Sequence, residues 1–250
     1  PERHPASGEA LTLSHWCLPF WLLTLFTWYI ISLFLAPSHA LSIIAQSGII
    51  AFVDGKFLRH CASDDPDVDK TDYSLYYNGR GHKIQCVVLL NGMVCHLVGP
   101  LPGRASDSGM YFISMLDILW PAAFGLFYKI FGDSAYPIGP ELLKAWPNPG
   151  RGTPERKFNR IMNKHRTVIE HVYAKVTKYF PYAGTKLHSK KEDPGTAYAV
   201  AVLLVNCHTC LYGSSMTSRF HTKLWMKSGS LTLGMPPTLK SYLGGAPSHD

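Results

Sequence analysis

The sequence predicts a mixed α/β domain, a mixed sheet flanked by helices. Three observations predict it. Apolar β-rich runs bounded by turn residues occur at 47–58 and 82–103. A helical period runs through 155–180, where Met162, Ile169, Val172, Tyr173, Val176 and Phe180 lie along one face. A second, largely apolar helical run follows at 196–213. Strand signals come first and the long helices last, the order of a sheet that helices cover.

Taken in order, "SGIIAFVDGKFL" (47–58) reads as a buried strand ending at Asp54-Gly55. "SDDPDVDKTD" (63–72) is acidic and turn-rich. Its Asp65, Asp67 and Asp69 imitate the start of a calcium loop, but Lys70 stands where that loop needs glycine and Tyr76 where it needs glutamate, so a solvated loop is the reading. Residues 82–103 are two β runs around Asn91-Gly92, a strong hairpin signal. Cap residues open 104–119, which continues with helical spacing. A further strand is predicted at 124–133, then a proline- and glycine-rich loop with a short helix near 141–146. After about 213 the chain is rich in Ser, Gly, Pro and Lys, a loose C-terminal tail over 214–250.

The first 37 residues stand apart. "WCLPFWLLTLFTWYIISLFLA" (16–36) carries no charge and is long enough to cross a bilayer as a helix. A core helix, or a foreign exon joined to the working domain, are the other readings, and Pro37-Ser38 is the natural boundary. Residues 38–213 then form the principal domain.

Of the 250 residues 46% are hydrophobic and 16% charged, which supplies a globular core and excludes gross disorder. The formal net charge of +7 favours an anionic partner, nucleic acid or a lipid surface. Six scattered cysteines do not form a disulfide framework, so a reducing compartment is the default. "CHTC" at 207–210 has the spacing of half a zinc site with no second half; buried thiols on an apolar helix are the simpler reading.

Acidic residues at element ends point to chemistry. Asp133 follows the apolar run that ends in Gly132. A turn or helix N-cap would explain it alone. If the first and fourth strands are neighbours, however, Asp54 and Asp133 lie side by side, and Glu170 from a helix across the sheet edge can face them. Such carboxylates repel, a divalent cation relieves the repulsion, and hard oxygen donors suit magnesium or manganese. Glu170 lies in a basic segment: 151–191 holds eleven Lys and Arg against Glu155 and Glu170. Arg156, Lys157, Arg160, Lys164 and Arg166 are candidate phosphate contacts. Pairing of Glu170 with Arg166 at i, i−4 remains the plainer alternative.

Four blocks in this order resemble the catalytic domain of PIF/Harbinger-type transposases, endonucleases of the DDE superfamily: "FVDGK", "YYNGRGHKIQCVVLLNGMVCHLVGPLPGRASDSGMY", "GDSAYPI" and "NKHRTVIEHVYAKV". The resemblance spans about Ser47 to Gly213. It implies an RNase H-like fold and a metal-dependent nuclease acting on DNA. It implies Asp54, Asp133 and Glu170 as metal-binding catalytic carboxylates, and Asp107 as a further ligand or a brace for one. The family often has His before that aspartate; here it is Ser106, which bears on a neighbouring contact rather than on the carboxylate. The family also carries a helical DNA-recognition region before the first catalytic strand. Only about fifty residues precede Asp54 here, so the resemblance implies an N-terminally truncated chain and a separate Myb-like DNA-binding partner. It implies the nucleus as location, against a membrane if 16–36 is a true span. Beside the nuclease stand two other readings: a catalytically silent remnant that still binds DNA, and a membrane-anchored protein.

Overall fold

Alternation along the first strand sets the layers. In β1 (Ile49–Arg59) Phe52 faces one side of the sheet, while Ala51 and Val53 face the other, all fully buried. The structure is a computed structural model that describes residues 48–184, 194–214 and 239–243. The apolar run 16–36, the boundary at 37, Lys186, Lys190, Lys191 and most of the 214–250 tail lie outside the described residues.

The chain continues through helix α1 (Pro66–Asp72), β2 (Tyr73–Ser74), β3 (Gly79–Leu89) and β4 (Val94–Pro102). Then come α2 (Asp107–Ile113), α3 (Leu116–Phe124), β5 (Lys129–Gly132) and β6 (Leu142–Lys144). Helix α4 (Pro154–Tyr179), a 3-10 turn (Pro181–Gly184), α5 (Pro194–Tyr212) and the short α6 (Leu239–Tyr242) complete it. The strands form one sheet in the order β2-β3-β1-β5-β6, with β4 also on β3. β3 pairs antiparallel with β1 and β4, whereas β1, β5 and β6 run parallel. α4 and α5 cover the Phe52 face through Met162, Val168, Ile169, Val172, Val176, Tyr198 and Val205. α2 and α3 cover the other face through Tyr111, Leu116, Trp120 and Phe124. This mixed sheet between helical layers is the RNase H-like arrangement.

The hairpin forms as the Asn91-Gly92 pair predicts. The Asn91 side chain accepts from Met93 N, and Gly92 sits at φ +83. α4 begins at Thr153, whose hydroxyl accepts from Arg156 N, and its buried face is the predicted one. α5 is long and apolar enough to cross a membrane by length and composition, but here its Tyr198, Ala201, Val202 and Val205 are packed in the core.

Four expectations need correction. The helix predicted at 104–119 is two helices, broken at Met115 (φ 55), where the Ser114 hydroxyl donates to Tyr111 O and accepts from Gln85. The strand predicted at 124–133 shrinks to β5, because α3 runs on to Phe124 and ends at Gly125. The predicted short helix near 141–146 is instead β6, whose Leu142 and Leu143 pair in parallel with Ile130 and Phe131. The acidic 63–72 segment is not simply a solvated loop. Asp65 caps α1 by accepting from Asp67 N and Val68 N, Asp69 pairs with Arg80, and Asp72 is buried.

Candidate functional site: a carboxylate pocket at the end of the β1–β5 pair

β1 and β5 pair in parallel only as far as Phe52 and Phe131. Asp54 and Asp133 each stand two residues past that last pair, close enough for Asp133 to repel the Asp54 carboxylate. Asp54 does not end its strand, as the sequence suggested; β1 continues to Arg59 alongside β3. What stops beside Asp54 is its parallel neighbour β5, whose last residue is Gly132. Asp133 does follow the last residue of β5. Its Oδ1 accepts from Ala135 N at 2.8 Å, so it also forms the turn.

Asp107 arrives from the opposite layer. It is the first residue of α2, which Ser106 caps by accepting from Gly109 N at 3.0 Å. Gly55 makes the approach feasible: a Cβ there would lie 2.9 Å from Asp107 Oδ1. Ser108 fixes the helix start to the turn after Asp133 by donating to Ala135 O at 2.6 Å. The buried Lys83 of β3 donates to Asp107 Oδ1 at 3.0 Å.

α4 closes the pocket. Arg166 donates to Asp54 Oδ2 at 3.1 Å and lies 3.7 Å from Glu170 Oε1. The Tyr173 hydroxyl donates to Asp54 O at 2.7 Å and ties the helix to β1 at that residue. Glu170 is thus joined to Asp54 through Arg166, and its side chain is 58% exposed at the rim. The i, i+4 pairing that the sequence offered as the plainer reading is present, and it is part of the pocket.

The electrostatics follow from this placement. Burial pushes Asp54 up to about 6; Asp133 and Asp107 add repulsion, while Arg166 and the Gly55 N–H oppose the rise. Tyr136, buried beneath the pocket, is pushed well above its ordinary value by burial and then by Asp107, Asp54 and Asp133. Tyr77 is raised by burial and the same three carboxylates. Asp107 and Asp133 therefore stand within electrostatic reach of Asp54, with Glu170 joined to Asp54 through Arg166 and Lys83 paired to Asp107.

Of the five basic residues singled out in α4, Arg156, Lys157, Arg160 and Lys164 are exposed and recur at helical spacing along one strip. Arg166 is not on that strip; its guanidinium turns into the pocket because two carboxylates stand there. Sequence reasoning missed Lys83, Tyr77 and Tyr136. Lys83 lies in the basic "RGHKIQ" stretch, and Tyr136 in the "GDSAYPI" block, so both were within view. The cysteines of "CHTC" pack beside Met93 and Tyr242, and burial raises both thiols, Cys210 to about 12, which disfavours the thiolate a metal needs.

A family model described as DDE superfamily endonuclease matches residues 53–206. No curated protein and no solved structure matches the chain. The matched segment covers more than half of the 250 residues and runs from β1 to α5, spanning all four carboxylates of the pocket. The chain belongs to the DDE superfamily endonuclease family.

Proposed function

We propose that the protein is a transposase-derived, divalent-metal-dependent DNA endonuclease of the PIF/Harbinger type, with Asp54, Asp133 and Glu170 as catalytic carboxylates and Asp107 as a further ligand or brace. The observation that carries this reading is the placement of Asp107 and Asp133 within electrostatic reach of Asp54, where burial first and then their repulsion lift Asp54 to about 6. The donor set fits magnesium or manganese: all its oxygens are hard, and a cation would relieve the repulsion that raises Asp54. When bound, a pair of such ions activates a water or hydroxyl and stabilises the leaving oxygen of a phosphodiester.

The chain's own residues do the rest. Asp54 lies within β1, and Asp133 sits in the turn directly after the neighbouring β5. Tyr173 and Gly55 hold Asp54 through its carbonyl and through Oδ1, leaving Oδ2 turned to Arg166. Arg166 and Lys83 neutralise Asp54 and Asp107 and keep repelling groups together. The exposed strip Arg156, Lys157, Arg160 and Lys164 on α4 suits a phosphate backbone. A nuclear location and a Myb-like DNA-binding partner accompany the PIF/Harbinger reading.

Incubation of the full chain with supercoiled plasmid tests the proposal. Nicked or linear product in magnesium or manganese, abolished by chelation and by Asp107→Asn, is expected. Plasmid that is bound but never nicked in either metal would leave the silent DNA-binding remnant in its place.

A further inference from the structure

At the far end of β1, past the carboxylate pocket, three chemistry-bearing side chains converge that the nuclease reading does not use. His60 follows β1, His82 lies in β3, and Asp72 ends α1. His60 and Asp72 are almost wholly buried, at 1% and 2% exposure. His60 Nε2 lies 3.1 Å from Asp72 Oδ2, and His82 Nε2 lies 3.4 Å from the same oxygen. The three ligand atoms all fall within 4.8 Å of one another.

His60 Nδ1 is 2.6 Å from Cys61 O. A carbonyl can only accept, so Nδ1 carries a proton. In a neutral ring Nε2 then bears a lone pair, and it faces a carboxylate oxygen in a buried place. Neither His60 Nε2 nor Asp72 Oδ2 has a hydrogen-bond partner. Two buried acceptors 3.1 Å apart need something positive between them: a second ring proton or a metal ion. The spacing suits a metal. Ligands at the usual zinc distances of about 2.0–2.1 Å form a tetrahedron with edges of about 3.3 Å, against the observed 3.1 and 3.4 Å.

We propose that His60, Asp72 and His82 form a zinc site, separate from the carboxylate pocket and different in chemistry. Two imidazole nitrogens and one carboxylate select zinc over magnesium, which takes an oxygen shell. The Nδ1–H bond from His60 to the Cys61 carbonyl is the outer contact that fixes a metal-binding imidazole. The ion would staple α1 to the β1–β3 pair. Arg104 N donates to Thr71 O, so the stapled helix end also braces the segment that leads from β4 to Asp107. The acidic 63–72 segment thereby acquires a role: it carries Asp72 to the histidines.

The test is zinc retention by the full chain, stripped with chelator, reloaded at micromolar zinc, desalted and analysed for metal, with circular dichroism as a check on folding. One zinc per chain is expected in the wild type, in Asp54→Asn and in a Cys207→Ser, Cys210→Ser double variant. Loss of that zinc is expected in His60→Gln and in the near-isosteric Asp72→Asn, with the wild type melting at a higher temperature in zinc than after chelation. Wild-type protein that retains no zinc would overturn the proposal and leave an imidazolium–carboxylate pair. Equal retention by wild type, His60→Gln and Asp72→Asn would overturn it as well, by locating the metal elsewhere.

Discussion

Arg166 of α4 donates to Asp54 of β1 at 3.1 Å, across 112 residues of sequence. The contact joins the basic helix to the sheet at a carboxylate whose environment disfavours charge, and it opposes a rise that burial dominates. Arg166→Ala should therefore raise the Asp54 pKa further above 6. If Asp54 must be ionised to hold a cation, the acid limb of the metal-dependent cleavage profile should move to higher pH, and more metal should move it back. Arg166→Lys, which keeps a charge but not the planar fork, should fall between the two. An acid limb that stays in place would separate Arg166 from the ionisation of Asp54.

The raised Asp54 pKa is also a statement about stability. The folded-state value exceeds the unfolded one, so the folded protein binds more protons between about 3.8 and 6 and loses stability as pH rises through that window. Asp54→Asn should remove this cost. The variant should be more stable than wild type at pH 7 in chelator, by at most about 3 kcal/mol since each unit is worth about 1.4, and the difference should vanish below about pH 4. Magnesium or manganese should stabilise the wild type at pH 7 and leave Asp54→Asn almost unmoved. Denaturant unfolding at the two pH values, with and without metal, reads all of this.

The exposed strip of α4 makes a separable claim. Alanine at Lys157, Arg160 and Lys164 should weaken binding to every duplex alike and flatten the salt dependence, by roughly 0.9 of a log–log slope unit for each lost phosphate contact. Fluorescence anisotropy over a salt series measures it. A slope equal to that of the wild type would put the DNA on another face.

Sequence carried the long elements well, for identifiable reasons. The α4 face from Met162 to Val176 repeats at helical period, and Asn91-Gly92 has the turn chemistry of a hairpin. Both signals are local. β5 and β6 were harder because each is three or four residues long, and parallel pairing leaves no turn between partners to mark it. β6 resembled a helix because Leu142-Leu143 carries no alternation over so short a run. Beside the break at Met115, Ser114 accepts from Gln85 of β3, twenty-nine residues before it in sequence, and nothing near Ser114 announces that contact. Asp72 was hidden among the other aspartates of its segment, since only the fold brings His60 and His82 to it. The position of Arg166 had the same cause: as one cation among eleven it looks like a phosphate contact, and the pocket alone distinguishes it.

Asp133→Asn separates a metal ligand from a turn former. Asp133 Oδ1 accepts from Ala135 N, and an asparagine amide oxygen can make the same bond, so the turn survives the change. The charge that a hard cation needs does not survive. The measurement is plasmid cleavage in magnesium and in manganese by the folded, DNA-binding variant beside the wild type. The metal-ligand account predicts DNA binding unchanged and cleavage lost, by about a hundredfold or more, the range seen when a single group that stabilises transition-state charge is removed. Cleavage by Asp133→Asn at the wild-type rate would show that Asp133 only makes a turn, and would contradict the account.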